Sequence, residues 1–423
     1  FLNSWINKSN ILIKKNNYLE GLEFTKLALK NYPDNNKLKN NLALFLFECG
    51  FKKKALSIYE EFNSKKLHFE ESLINYSNIL IKTNNFDRAL EVLNEILFYN
   101  KNNIEALRSR SFIFKEKSDL KNAQNDLLLA IKIDASNLDN HKILVELYFD
   151  YKEYQLAIDY CDKMISKNIE TDFFLTKKIL SKMNLGIWIG LEEELEQFNK
   201  NLNNFNSSLN PLSLKYLNDN PIFQKEFTEK YWDKKPKNKF LSKIIDEKKN
   251  FEIDSKIRIG YFSGDFKNHA VFQLIQDLFI YHDKSQFEIY AYSSFKKEGN
   301  SRNKVKNNVD KFTDIDNLSD EEILNIIKID NLDIAIDLSG YTTYNKSHLF
   351  EYNISKIKIN YLGYPGSMGT SNYDYIIADK NIIPPDHSKF YTEDVIYMPE
   401  TYQPFTPYKF DMNLKKSEFG LLE

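Results

Sequence analysis

Cysteine is nearly absent from this chain. Two residues in 423, Cys49 and Cys161, build neither a disulfide framework nor a CxxC metal site. Both lie in helix-like segments, where a free cysteine behaves as a small buried apolar residue, and a reducing, cytoplasmic compartment is expected. Long apolar runs are missing too. No stretch approaches the roughly 20 residues that span a bilayer as a helix, and the opening "FLNSWINKSN" has no basic start followed by an apolar block. The chain does not open with Met, so it is expected to begin inside a longer protein. Neither sign of charge dominates: 58 Lys and Arg stand against 60 Asp and Glu, and no strong field points to nucleic acid or to a membrane as partner. Histidine is scarce. His68, His141, His282, His348 and His387 are scattered without i, i+4 or CxxC partners, so no metal site is expected. The GxGxxG fingerprint and the Walker lysine loop are absent, which argues against nicotinamide and P-loop enzymes.

What is present is, first, a repeat. A chain this long implies two or three domains. In "NYLEGLEFTKLAL", "GFKKKALSIYEEF", "NFDRALEVLNEIL", "DLKNAQNDLLLAI" and "EYQLAIDYCDKMI", a small residue recurs at Gly21, Ala55, Ala89, Ala123 and Ala157, each 34 after the last. Tyr18, Phe86, Leu120 or Tyr154 stands three places before it, with Phe51 one place off register. Ala28, Phe62, Ile96, Ala130 and Met164 follow seven places after it. A small residue where two antiparallel helices cross lets their backbones approach, and each pair leaves an apolar face for the next to cover. The pattern resembles the tetratricopeptide repeat.

Around residue 186 the period fades. "NLGIWIGLEEELEQF" reads as helix, and the two prolines at 211 and 221 read as stops around one amphipathic helix near 221–232. From about 254 the grammar becomes alternating strand and helix. Strands are expected at 256–262, 287–293, 311–315, 333–339, 357–363, 375–379 and 395–399, with helices at 269–281 and 319–330. Such units imply a mostly parallel, doubly wound sheet, with ligands beyond the carboxyl ends of its strands. The expected organisation is a helical solenoid over 1–200, a helical linker over 201–253 and an α/β lobe over 254–423.

Three loops follow strands and carry the residues of interest: "SGDFKNH" (263–269), "SGYTTYN" (339–345) and "LGYPGSMGTSNYD" (362–374). On parallel strands they emerge at one edge. Glycine at 264, 340, 363, 366 and 369 lets backbone pass close to a ligand. Asn268 is a candidate N-cap, placing His269 in a first helical turn, where the helix field favours a neutral imidazole able to accept a proton. Asp265, four residues earlier, is a candidate to orient it or to share a substrate hydroxyl. The bland alternative is a helix-start histidine that packs or meets solvent. The dense tyrosines at 341, 344, 361, 364, 373 and 375 read mainly as pocket wall.

Solenoid, linker and α/β half together resemble the O-linked N-acetylglucosamine transferases and their Spindly-type bacterial relatives. "IRIGYFSGDFKNHAV" resembles that family's first strand and "SxDFxxH" loop, "DIAIDLSGYT" its "DIxxDLxGYT" segment, and "VIYMPETYQP" a later strand. "INYLGYPGSMGTSNYDYIIADKNIIPP" is the strongest match of the four. The resemblance implies an α plus α/β fold: a tetratricopeptide solenoid followed by the Rossmann-like N-terminal lobe of a GT-B glycosyltransferase. It implies a metal-independent, inverting protein O-glycosyltransferase that moves N-acetylglucosamine from a UDP-sugar to Ser or Thr. His269 then matches the motif histidine and Asp265 its acidic partner. Asn268, Tyr341, Leu362, Gly363, Tyr364 and Pro365 match substrate-binding positions. No cofactor beyond the nucleotide-sugar donor is implied, and protein or peptide acceptors would lie in the solenoid groove.

Two departures bear on this. Ala270–Val271 replaces the Pro–Thr of the animal-type enzymes and resembles the Spindly-type branch, some members of which use a fucosyl donor; protein O-fucosyl transfer is therefore an alternative. A non-catalytic repeat scaffold is another. "SEFGLLE" (417–423) resembles the segment leading into the second lobe, where this family keeps most nucleotide contacts. The expectation is a chain cut before that lobe and inactive by itself.

Overall fold

The computed structural model describes residues 1–404 apart from 16, 66, 68, 170, 202–208, 235–240, 246–255 and 296–297. His68, the charged stretch after Lys234 and the terminal "SEFGLLE" lie outside the described residues. The chain divides into two compact units, Phe1–Leu209 and Asn210–Glu423.

The first unit is helical. Its helices are Leu2–Lys14 (α1), Tyr18–Asn31 (α2), Asn36–Glu48 (α3), Lys52–Lys65 (α4), Glu70–Lys82 (α5), Phe86–Tyr99 (α6), Ile104–Glu116 (α7), Leu120–Ile133 (α8), Leu138–Asp150 (α9), Tyr154–Ile165 (α10), Thr171–Leu185 (α11) and Leu191–Asn201 (α12). The repeat rule is a burial rule. Ala55, Ala89, Ala123 and Ala157 are fully buried, and at Gly21 an added Cβ would lie 2.1 Å from the Phe45 ring. Ala28, Phe62, Ile96, Ala130 and Met164 are buried as well, as are both cysteines. Burial pushes the Cys161 thiol up to about 12, so it is an inert core atom.

The period runs further in the backbone than in the side chains. Gly50, Asn84, Ser118, Lys152 and Gly186 all have positive φ, between 57° and 86°, and successive positions differ by 34. Each closes the first helix of a pair with a left-handed residue, the usual helix stop. The expected helix through "NLGIWIGLEEELEQF" is therefore broken. Gly186 and Gly190, both at positive φ, end α11 and open α12, and Trp188 between them is two-thirds exposed.

The second unit opens with Pro211–Leu217 (α13) and Pro221–Asp233 (α14). Here the prolines start helices instead of stopping them. Asn210 and Asn220 cap the two N-termini through their side chains, and proline suits the first helical position because it lacks an N–H that would go unpaired there. The strands are Ile257–Ser263 (β1), Phe287–Ser293 (β2), Lys311–Asp314 (β3), Ile334–Asp337 (β4), Ile357–Tyr361 (β5), Tyr375–Ala378 (β6) and Asp394–Tyr397 (β7). All pair in parallel in the order β3-β2-β1-β4-β5-β6-β7. Alternate side chains enter two cores. Phe262, Tyr292 and Ala335 join Trp232 of α14 in one, while Ile259, Tyr261, Ile289 and Ile336 build the other, as the two-residue strand period demands. The remaining helices are Ala270–Ile275 (α15), Leu278–Tyr281 (α16), Asn300–Lys306 (α17) and Asp320–Asp330 (α18). The expected helix over 269–281 is thus two short ones. That over 319–330 is capped by Ser319 and Glu322 in a reciprocal box. Strand order reverses between β1 and β4, the switch point where such sheets open a crevice at their carboxyl edge.

Candidate active site

The three loops do meet at that edge, held together through glycines and one buried carboxylate. A Cβ on Gly264 would lie 2.8 Å from Tyr344 Cβ, so glycine lets the β1 loop lie against the β4 loop; the Gly264 N–H donates to Ser339 Oγ at 3.2 Å. Gly340 has φ +55°, and its added Cβ would lie 2.4 Å from Tyr364 Cβ. At Gly363 the added atom would lie 2.0 Å from the Leu338 carbonyl oxygen, which brings the β5 loop onto the β4 loop. Leu362 sits at φ +69°, a costly conformation for a non-glycine that the surrounding contacts impose. Asp337 ends β4 with 1 % exposure. Its Oδ1 accepts from the Ser339 and Gly340 N–H groups at 2.9 and 3.0 Å, and its Oδ2 from Ser347 and Tyr373 hydroxyls, both at 2.7 Å. Sequence reasoning passed over Asp337 as strand. The available signal was an acidic residue ending an apolar run, which must find donors when buried.

His269 is 44 % exposed at its side chain. It is not in the first turn of α15 but caps it: its backbone is extended, and Nδ1 accepts from the Val271 N–H at 3.3 Å. The imidazole takes the place the sequence assigns to Asn268, whose Oδ1 instead accepts from Gln273 at 3.0 Å. With six residues, α15 is too short for the strong helix field the sequence reading invokes. Asp265 is buried, and its Oδ2 lies 3.6 Å from His269 Nδ1 while its Oδ1 lies 3.4 Å from Lys267 Nζ. The two contacts of Nδ1 are exclusive. An unprotonated Nδ1 accepts from Val271, and a protonated one donates to Asp265; the shorter distance favours the first. Nε2 has no partner among the described residues.

Tyr341 and Tyr364 are each 2 % exposed and meet edge to face at 5.2 Å. The Tyr341 hydroxyl donates to the Met368 carbonyl at 2.7 Å. Burial pushes both phenols far above their ordinary range, so they hold the loops as neutral walls. Leu362 is buried, Gly363 is half-buried, and Pro365 is exposed on the β5 loop. Two supports were not legible in sequence. Asn210 donates to the Tyr341 carbonyl at 3.0 Å and Tyr231 packs edge-on against the Tyr341 ring, so α13 and α14 brace the loops. Glu393, 3 % exposed, accepts from Ser367 Oγ at 2.8 Å and from the Met368 N–H at 2.6 Å.

A cavity of about 690 Å³ lies wholly within the first unit, lined by Asn78, Arg108, Phe112, Lys115, Asn137 and Glu146 among others. It outsizes the roughly 30 Å³ space beside Tyr364 and Ser367, while the histidine–aspartate constellation stands at the sheet edge. Among the described residues no three His, Cys, Asp or Glu side chains gather as a metal site, and no helix is long and apolar enough to cross a membrane.

Residues 237–408 match the model of glycosyl transferase family 41. A probable UDP-N-acetylglucosamine–peptide N-acetylglucosaminyltransferase from Arabidopsis thaliana is 29 % identical over 148 residues, 35 % of this chain and 15 % of that protein. A Caenorhabditis elegans UDP-N-acetylglucosamine–peptide N-acetylglucosaminyltransferase is 33 % identical over 149 residues, again 35 % of this chain and 13 % of that protein. The matched stretch is thus a small part of each relative. The solved structure of a mutant O-GlcNAc transferase from Thermobaculum terrenum superposes with a TM-score of 0.52 at 17 % identity, covering 80 % of this chain and 59 % of that one; at that identity the likeness concerns the fold. The matched segment contains the whole seven-stranded sheet and all three loops, and through it the α/β unit is similar to glycosyl transferase family 41.

Proposed function

We propose that the α/β unit carries the acceptor side of a protein O-glycosyltransferase site. The reaction is transfer of N-acetylglucosamine from a UDP-sugar to a Ser or Thr hydroxyl, without a metal and with inversion. The acceptor oxygen attacks the anomeric carbon, the bond to the diphosphate breaks as the new one forms, and the transition state is oxocarbenium-like, as in other glycosyl transfers. The hydroxyl proton goes to His269 or to a water beside Asp265, and UDP departs with the bonding electrons. The charge developing on that leaving group calls for cations or helix-start amides.

The observation that supports this reading is the convergence of three glycine loops on the carboxyl edge, with His269 exposed among them and its Nε2 unpartnered among the described residues. For Nε2 to accept a proton, Nδ1 must carry one and turn from Val271 to Asp265. For Nε2 to donate and merely position an oxygen, the present cap bond suffices. The pair therefore distinguishes base from positioning group by a single hydrogen bond. In the first unit, Asn78 and Asn137 on the 690 Å³ cavity are suited to bond the backbone of an extended acceptor segment.

The test is sugar transfer from labelled UDP-N-acetylglucosamine by the protein as expressed from its own gene, with the modified residue mapped. His269→Ala is expected to lower transfer by about 10²- to 10⁴-fold, the usual worth of a proton-transfer group. Activity within a few-fold of wild type would refute that role. Transfer from a GDP-fucose donor, with none from UDP-N-acetylglucosamine, would replace the donor sugar. No transfer from any nucleotide sugar would leave a binding scaffold.

A further inference from the structure

Lys267 has an environment that its exposed neighbours lack. Its ammonium lies 4.0 Å from the centroid of Phe295 and 4.8 Å from that of Tyr344, two rings that themselves touch at 4.8 Å. Phe295 belongs to the loop after β2 and Tyr344 to the loop after β4, so the lysine of the β1 loop is gripped by both neighbours. The grip is fixed from several sides. Tyr344 sits at φ +59° against the bare face of Gly264, and its carbonyl accepts from Ser294 Oγ. A cation over two aromatic faces is attracted by their negative centres, and here it is directed at Oδ1 of a carboxylate whose Oδ2 faces His269 Nδ1. Asp265 is buried, and among the described residues the titratable side chains within ion-pair reach of it are Lys267 and His269; the rings facing the group from the β2 and β4 loops carry no formal charge.

We propose that Lys267 is a positioning residue that decides which partner His269 Nδ1 takes, and hence which tautomer the ring presents. The proposal rests on the reading of His269 as the group that meets the acceptor. With the ammonium in place, part of the carboxylate's field is spent on Lys267. The Val271 N–H then holds Nδ1 unprotonated, and the neutral ring carries its hydrogen on Nε2. Without the ammonium, Asp265 faces His269 alone. Nδ1 takes up a proton from water and keeps it, donating a hydrogen bond to Asp265, while Nε2 releases its proton to water and its lone pair faces out. The clamp thus keeps the resting ring a hydrogen-bond donor at Nε2, and the base role described above requires Nδ1 first to turn to Asp265.

The experiment is NMR of the ring nitrogens in histidine-labelled protein, with the His269 signals assigned by their loss in His269→Gln. The wild type is expected to show the Nε2–H pattern, Lys267→Met the Nδ1–H pattern, and Lys267→Arg the wild-type pattern. Asp265→Asn added to Lys267→Met is expected to restore Nε2–H, because the carboxylate is what draws the proton. A merely structural lysine would alter the melting temperature and not the tautomer. An unchanged ring pattern in folded Lys267→Met, or one that changes equally with Asp265→Asn present, overturns the proposal. Should His269→Ala leave sugar transfer intact, the functional reading fails, and the ring signals still decide the role of Lys267.

Discussion

In the first unit one backbone event repeats every 34 residues; in the second, every strand end is a different event. Gly50, Asn84, Ser118, Lys152 and Gly186 share a left-handed conformation although three of the five are not glycine. The helix pairs around them bury small residues at the same crossing. At the sheet edge, by contrast, Gly264, Gly340 and Gly363 each clear a different neighbour: a tyrosine Cβ, another tyrosine, and a backbone carbonyl. A repeat needs one local solution that tiles. A site needs several unlike groups brought to one place, so its solutions are individual and its strain, as at Leu362 and Tyr344, is local.

The contrast can be broken most sharply at His269. His269→Ala is expected to remove about 10²- to 10⁴-fold of transfer, about 3–5 kcal/mol of transition-state stabilisation. The cost in stability should not exceed that of one lost helix cap, about 0.5–2 kcal/mol, since the ring is half exposed and makes one cap bond. Initial rates beside a thermal melt test both halves. Next comes Gly363→Ala. The added atom meets a carbonyl at 2.0 Å and backbone cannot step aside, so destabilisation should exceed the about 1–3 kcal/mol of ordinary overpacking. Denaturant unfolding, with hydrogen exchange in 362–370, reads it, and a loss under about 1 kcal/mol would contradict the packing described.

Gly21→Ala is the counterpart in the first unit. The nearest atoms to its new methyl all belong to the Phe45 ring, a side chain that can shift where backbone cannot, so the cost should fall at or below the same about 1–3 kcal/mol. Exchange protection should drop in α2 and α3 and stay unchanged in the sheet. Loss of protection throughout the sheet would show that the units do not unfold separately.

The smallest effect concerns pH. Burial holds the Glu393 carboxyl above the ordinary glutamate range, against the opposing pull of the Met368 N–H and the Ser367 hydroxyl. As pH rises from the ordinary glutamate value toward the raised one, the unfolded chain releases its proton first. The folded state therefore loses stability across that window and regains it on acidification. Glu393→Gln should flatten that stretch of the stability–pH curve; an unaltered curve would assign it to another group.

Much of this was legible before any coordinates. The seven strands appear within a few residues of where apolar runs and glycine punctuation put them, and the helix expected over 319–330 is α18. Misreadings cluster where a local signal has two meanings. Proline stops one helix and starts another, and Pro211 and Pro221 did the second because Asn210 and Asn220 precede them as caps. At α15 an asparagine and a histidine competed for one cap, and only packing decides between adjacent residues of similar reach.

The sequence by itself determined the period of the helical unit, the positions of the strands along the chain and the three loops that bear polar groups, because these follow from spacing, side-chain size and apolar runs along the chain. Tertiary structure alone decided that Asp337 ties two loops together, that Tyr341 and Tyr364 are buried walls, and that α13 and α14 brace those walls. It alone put Lys267 between rings from two other loops. Such facts depend on residues from about 20 to 130 positions apart meeting within a few ångströms, and no pattern local to the chain encodes which of them will touch.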